Sequence, residues 1–146
     1  METQPNLDQK NKTIKLDFKD SKYATGRRKK SIAKVWLKKG SGNIHVNGKK
    51  MIEYFKKINL QIAITRPFAI TNRENEFDVR CSVKGGGLTG QAGAITHGIS
   101  RALTSFEPDL KPTLKKEKLT TRDSRAVERK KYGRRKARRS FQFSKR

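Results

Sequence analysis

The chain has one cysteine, two histidines and four prolines in 146 residues. A single cysteine, Cys81, excludes a disulfide scaffold. One cysteine and two histidines do not make a zinc site, and no metal or other cofactor is expected. Acids are scarce: 13 Asp plus Glu stand against 37 Lys plus Arg, leaving a formal charge of +24. No run approaches about 18 consecutive apolar residues, so no transmembrane helix is predicted. With 32% hydrophobic residues, the chain has room for one domain with tails, not for two full domains. A polycation of this density repels itself when compact unless a polyanion neutralises it. Nucleic acid is the leading partner class, and an anionic membrane surface the next.

The charge that is present is unevenly placed. Residues 1–20 hold four acids and four lysines. This neutral, polar extension (residues 1–21) is expected to be disordered. It has no apolar core like that of a secretory signal, no arginine and several acids, so it reads as neither signal nor transit peptide. The chain is expected to work in the compartment where it is made. Residues 22–39 hold eight Lys or Arg and no acid, and residues 111–146 hold 16 bases and three acids. Within the latter, residues 129–146 hold ten bases and no acid. That stretch has no apolar periodicity, so it is expected to stay extended until it meets a partner. Solubility does not require such a run, and nucleic-acid contact explains it. A membrane-surface helix would need an apolar face that the tail lacks, so no membrane partner is expected.

A core is expected over roughly residues 22–110. Ser31–Leu37 alternates as a strand, with Ala33, Val35 and Leu37 on one face. Gly40, Ser41 and Gly42 signal a turn, and Ile44 and Val46 alternate with His45 and Asn47 as a second strand, giving a hairpin with His45 outward. Lys49–Phe55 fits a short helix. Residues 58–65 fit either strand or helix, and Pro67 is expected to end it. Phe77, Val79, Cys81 and Val83 alternate with Asp78, Arg80, Ser82 and Lys84, the clearest strand in the chain. Cys81 is then a small core residue. Gln91–Phe106 is the clearest helix, with Ala92, Ile95, Ile99, Ala102, Leu103 and Phe106 on one stripe. Gly90, Ala94 and Gly98 form a second line where another backbone can approach closely.

Gly85-Gly86-Gly87-Leu88-Thr89-Gly90 matches a dinucleotide-binding pattern. That fold needs a parallel strand after the helix and an acid about 20 residues on. Glu107-Pro108-Asp109-Leu110-Lys111-Pro112 follows instead, which is no strand. The loop is either a phosphate cradle at a helix start or a turn that lets strand and helix pack closely, and the two are compatible. His45 and His97 have no catalytic partner in the sequence, and no nucleophile motif is present. No enzyme is expected. A DNA-compacting protein would carry repeats or a helix-turn-helix, and neither is seen.

Several segments together carry a family resemblance. They are Tyr23-Ala24-Thr25-Gly26-Arg27-Arg28-Lys29; Val83-Lys84 with the glycine loop and Gln91-Ala92-Gly93-Ala94-Ile95; Leu119-Thr120-Thr121-Arg122-Asp123-Ser124-Arg125; Val127-Glu128-Arg129-Lys130-Lys131; Lys136-Ala137-Arg138-Arg139; and the terminal Gln142-Phe143-Ser144-Lys145-Arg146. In this order they resemble the bacterial-type small-subunit ribosomal protein S-nine family over residues 22–146. The resemblance implies an α+β two-layer sandwich of the ribosomal protein S-five domain-two type, with a four-stranded sheet, packed helices and a long extended basic tail. It divides the chain into a globular domain at 22–118 and a tail at 119–146. It implies a place in the head of the small subunit, on rRNA of the 3′ major domain, beside neighbouring head proteins. Arg27, Arg28, Lys29, Lys30, Gly86, Gly87, Gln91, His97, Arg101, Arg122, Arg125, Arg129, Lys130, Lys131, Arg134, Arg135, Lys136, Arg138 and Arg139 become candidate rRNA contacts. Ser144, Lys145 and Arg146 become candidate contacts to the anticodon stem-loop of P-site tRNA. Residues 56–66 depart from the family's usual Arg-rich segment, and residues 1–20 have no counterpart in its shortest members. The Lys, Ile and Asn bias suggests an AT-rich genome, in a bacterium or in a mitochondrion or plastid that encodes its own copy.

Overall fold

The structure is a computed structural model that describes residues 19–145. Most of the N-terminal extension (residues 1–18) and Arg146 lie outside the described residues. Five strands form one mixed sheet: β1 (Lys22–Arg28), β2 (Ser31–Lys39), β3 (Ile44–Val46), β4 (Lys49–Lys50) and β5 (Phe77–Lys84). Their order is β1-β2-β5-β3-β4. The four-stranded sheet implied by the resemblance is thus five-stranded, because the two residues of β4 pair with His45 and Val46.

The sequence pattern predicts no strand over the residues of β1. This strand joins β2 through a two-residue turn in which Lys29 has φ +52°. The expected hairpin between β2 and β3 does not form. β5 lies between them, antiparallel to β2 and parallel to β3. Asp78 makes this insertion possible. Its Oδ1 accepts from the Ser41 N–H at 3.0 Å and the Asn43 N–H at 2.8 Å, which folds the Gly40–Asn43 loop over the start of β5. Gly40 N–H donates to Glu76 O at 2.8 Å, and Val79 N–H to Asn43 O at 2.8 Å. The apolar alternation of β5 then pairs along β2 for eight residues. The true β3–β4 hairpin turns on Asn47-Gly48. Both have positive φ, +50° and +79°, as a type I′ turn requires.

The helices are α1 (Met51–Tyr54), α2 (Ile58–Ile70), α3 (Leu88–Phe106) and α4 (Lys111–Lys116), with a 3-10 turn at Pro108–Leu110. The short helix expected at Lys49–Phe55 shrinks to four residues, since Lys49 and Lys50 join the sheet and Phe55 buries in the core. The ambiguous segment is a helix, and Pro67 sits inside it rather than ending it. Pro67 cannot donate to Ala63 O, the helical partner four residues back. Thr96 Oγ1 lies 2.9 Å from that carbonyl and can donate to it from α3. The helix ends instead at Ile70, and Asn72, φ +52°, turns the chain behind it, with Arg73 N–H donating to Phe68 O at 3.0 Å, a left-handed cap.

The helix α3 begins three residues before the expected Gln91 and lies across the inner face of the sheet. Its stripe from Ala92 to Leu103 is buried against Ala24, Ala33, Val35, Leu37 and Cys81. The line of small residues also behaves as read. A methyl group on Gly26 would fall on Ala94 O and Gly98 N and stand 2.8 Å from Gly98 Cα. The strand β1 therefore packs backbone to backbone on α3. Cys81 is buried, and burial pushes its thiol pKa up.

Candidate nucleic-acid interface

The cations gather where β1, α2, α3 and the start of the tail meet. After α4, Lys118 takes φ +57° and Leu119 N–H donates to Leu114 O at 3.0 Å. This cap redirects the chain across α3. Leu119 packs against the core. The next residues are fixed by His97. The Arg27 N–H donates to His97 Nδ1 at 3.2 Å, and His97 Nε2 lies 3.3 Å from Thr120 O. Accepting at Nδ1 requires the neutral ring, so Nε2 carries the proton and donates to Thr120 O. Burial lowers the His97 pKa, and the nearby Arg101 and Arg122 cations lower it further, against the opposing pull of the bond to Thr120.

Further on, Asp123 ties the tail to β1. Arg125 grips its carboxylate with Nε and Nη2, at 3.1 and 2.8 Å, and Arg28 Nη2 stands 3.4 Å away. The hydrogen bonds from Arg125 hold the Asp123 carboxyl well below the usual carboxylate range, and the Arg28 charge adds to this. The result is an open groove of about 780 Å³ lined by Arg27, Arg28, Arg66, Lys118, Arg122 and Arg125. Asp123 is the one acid in its lining. Arg66 also pairs with Glu117 at 2.9 Å, from outside the lining. Six cations against these two carboxylates still leave a surplus that suits phosphate oxygens.

Arg27, Arg28, His97, Arg122 and Arg125 are thus brought together, although 70 residues separate Arg27 from His97. Arg101 sits beside them, donating from Nη1 to Thr25 O at 2.7 Å. Lys29 and Lys30 form the exposed tip of the β1–β2 hairpin. Both polar ends of His97 are used inside the chain, so it links strand, helix and tail. Gln91 is likewise used at both polar ends, between α1 and the glycine loop. Its Oε1 accepts from Tyr54 Oη at 2.8 Å, and its Nε2 donates to Gly85 O at 3.2 Å. Gly85 and Gly86 have φ of +78° and +63°. A Cβ on Gly85 would stand 2.5 Å from Lys30 O. Close packing of the loop is thus a built feature. Among the described residues no strand follows α3, which is succeeded by the 3-10 turn and α4, so the arrangement that dinucleotide binding needs is not formed by them.

Two cations of the groove, Arg66 and Lys118, lie outside the contacts expected from sequence. Arg66 lies on α2, in the segment that departs from the family pattern, and Lys118 is the helix-capping residue. Arg66 is an isolated cation in a mostly apolar segment, and Lys118 is one base among the 16 of residues 111–146, so local sequence sets neither apart. His45 is a correction. It stands on the outer face of the sheet, as the alternation predicts, yet it is buried rather than at the surface, 8% exposed, and its Nδ1 has no hydrogen-bond partner among the described residues. The short β3 lies between β4 and β5 rather than at an edge, which leaves the ring little access to water.

From residue 120 to 145 the tail has no helix or strand, and Arg129, Lys130, Arg134, Arg135, Lys136 and Arg139 are exposed. Ser144 and Lys145 are exposed too, while Arg146 lies outside the described residues. A local loop interrupts the extended course. Glu128 accepts from Lys131 Nζ and from Arg138 Nε, the latter at 3.0 Å, and Arg135 N–H donates to Arg139 O at 2.9 Å. The Lys131 and Arg138 bonds lower the Glu128 pKa. Exposed pairs of this kind hold weakly, so a stronger anion can open the loop. Tyr132, Phe141 and Phe143 are exposed among these bases.

An α+β core with a cationic groove that runs into a cationic tail without helix or strand defines a small protein with a surface suited to a polyanion. The family model for ribosomal protein S9/S16 matches residues 26–146. The chain belongs to the ribosomal protein S9/S16 family. It is a ribosomal protein with a structural role in translation, not an enzyme.

One consequence concerns pH. The folded chain keeps His97 neutral, whereas the unfolded chain takes up a proton near the ordinary value of 6.5. The unfolded state therefore binds more protons as pH falls through that value, and stability drops with it. The urea midpoint is expected to fall from about pH 7.5 to about pH 5.5. The decline should flatten in His97→Asn. An equal decline in the variant would remove His97 from the explanation.

Proposed function

We propose that the chain binds small-subunit rRNA of the 3′ major domain in the head of the subunit, and that its tail touches the anticodon stem-loop of P-site tRNA. The core at residues 22–118, of the S-five domain-two type, holds one place on the rRNA. The tail at 119–146 leaves from the groove. The observation that carries this reading is the continuity of the six-cation groove with that tail. Phosphates track from Arg27, Arg28, Arg122 and Arg125 to the bases of 129–139. Lys29, Lys30 and Arg101 widen the contact, and the Gly86 and Gly87 N–H groups beside the start of α3 are suited to donate to phosphate oxygens. His97 and Gln91 act by holding these elements in place. At about 3.3 Å per residue, an 18-residue extended tail reaches about 60 Å, so core and tip can serve distant sites. Phosphate contact reads no sequence, which suits a tip that meets every tRNA. Neighbouring head proteins complete the site. The host ribosome is that of a bacterium, or of an organelle that encodes this chain.

Small subunits carrying the chain without Ser144, Lys145 and Arg146 test this. Incorporation should be normal, and P-site tRNA should dissociate faster than from subunits with the full chain. Unchanged tRNA retention would rule out the tip contact.

A further inference from the structure

The groove and tail lie on the helical side and at the end of the core, but the sheet has a second face. One cross-strand row on that outer face visits all five strands: Tyr23, Trp36, Arg80, His45 and Lys50. The Tyr23 and Trp36 rings lie 5.4 Å apart, and Arg80 Cζ is 5.7 Å from the Trp36 ring centre. Tyr23 is 48% exposed. On the adjoining rows Lys34, Ser82 and Lys84 are exposed as well, so no described helix covers this part of the sheet. Asp78, two residues before Arg80 on β5, accepts from the Ser41 and Asn43 N–H groups. His45, at the far end of the row, keeps a buried Nδ1 with no partner among the described residues.

We propose that this outer face is a stacking platform for unpaired RNA bases. It rests on the reading of the chain as an rRNA binder and adds a contact surface to it. Charge complementarity selects the occupant. Lys34, Lys50, Arg80 and Lys84 face outward and make no ion pair among the described residues, and an exposed tyrosine beside a tryptophan offers ring area to a base. Bases in a duplex are already stacked and do not present their faces, whereas unpaired nucleotides stack on aromatic rings and on guanidinium planes. Phosphates of the same strand then reach Lys34 and Lys84.

Trp36 is the only tryptophan of the chain, so its fluorescence reports on this face alone. The full-length protein is titrated with an unstructured oligoribonucleotide of about 12 nucleotides and, separately, with an RNA duplex of the same length. The single strand should quench Trp36 and the duplex should not, although filter binding retains both through groove and tail. Tyr23→Ala should weaken the single-strand affinity read by Trp36 about tenfold, and Tyr23→Phe should restore it to within about twofold. Arg80→Gln should weaken it as well. Equal quenching by duplex and single strand overturns the platform, as does unchanged affinity in Tyr23→Ala. So does a photocrosslink from Tyr23 or Trp36 to a protein, rather than to a nucleotide, in assembled subunits. Loss of all RNA retention by the unaltered chain would overturn the rRNA reading itself, a result the filter assay separates from silence at Trp36.

Discussion

Gly26→Ala is expected to prevent the full chain from reaching its native fold, or to lower its unfolding free energy by about 3 kcal/mol or more. The added methyl has no free volume. It would fall on Ala94 O and Gly98 N, both main-chain atoms of α3. A flexible side chain could swing away, but a helix backbone can only move as a body. Moving it would pull Ala92, Ile95 and Ile99 out of their contacts with the sheet. Gly26 has no positive φ, so the effect is steric and not conformational. Thermal unfolding of the purified variant reads it directly. Gly87→Ala is the control, because nothing lies within 4 Å of a Cβ there. A Gly26→Ala protein as stable as the control would mean that strand and helix are farther apart than the structure has them.

Removal of residues 129–146 should have the largest effect on binding. The deletion takes away ten cations and no acid, while the core elements and the Asp123 clamp remain. If most of those cations sit on phosphates, the plot of log affinity against log salt should flatten by several units. About 7 is the ceiling, at roughly 0.7 counterions released per neutralised phosphate of a single strand. Low-salt affinity for small-subunit rRNA should then fall by orders of magnitude, with thermal stability of the core almost unchanged. Filter binding across a salt series measures the slope. A flattening below one unit would show that the tail bases stay hydrated in the complex and that the groove alone carries binding. The same series separates the tail from the groove, because the six cations of the groove keep their own slope.

The elements that the sequence foretold are those whose partners repeat at a fixed local spacing. Phe77–Lys84 alternates through eight residues, and both its faces were readable. The apolar stripe of α3 was readable for the same reason, and so was the close approach at Gly90, Ala94 and Gly98. Reading failed where the decisive contact was distant. Lys22–Arg28 is basic, and only Ala24 and Gly26 are buried in it, so its strand character comes from pairing with β2. Pro67 is tolerated because Thr96, 29 positions further along the chain, can serve the carbonyl that proline leaves unbonded. Asp78 looked like one polar residue of an alternating strand, yet its carboxylate folds the loop that sends β3 past β5.

Sequence by itself determined the partner class, the clear strand and helix, the absence of enzyme motifs and the family. Charge density and local periodicity are properties of the chain before it folds. Tertiary structure alone decided the strand order, the burial of His45 and the composition of the groove. Arg66 and Lys118 join Arg27 and Arg28 only because α2 packs on α3 and a left-handed cap at Lys118 turns the tail across both. Such a site is made by contacts between distant segments, whose geometry is set by backbone packing and not by the spacing of residues along the chain.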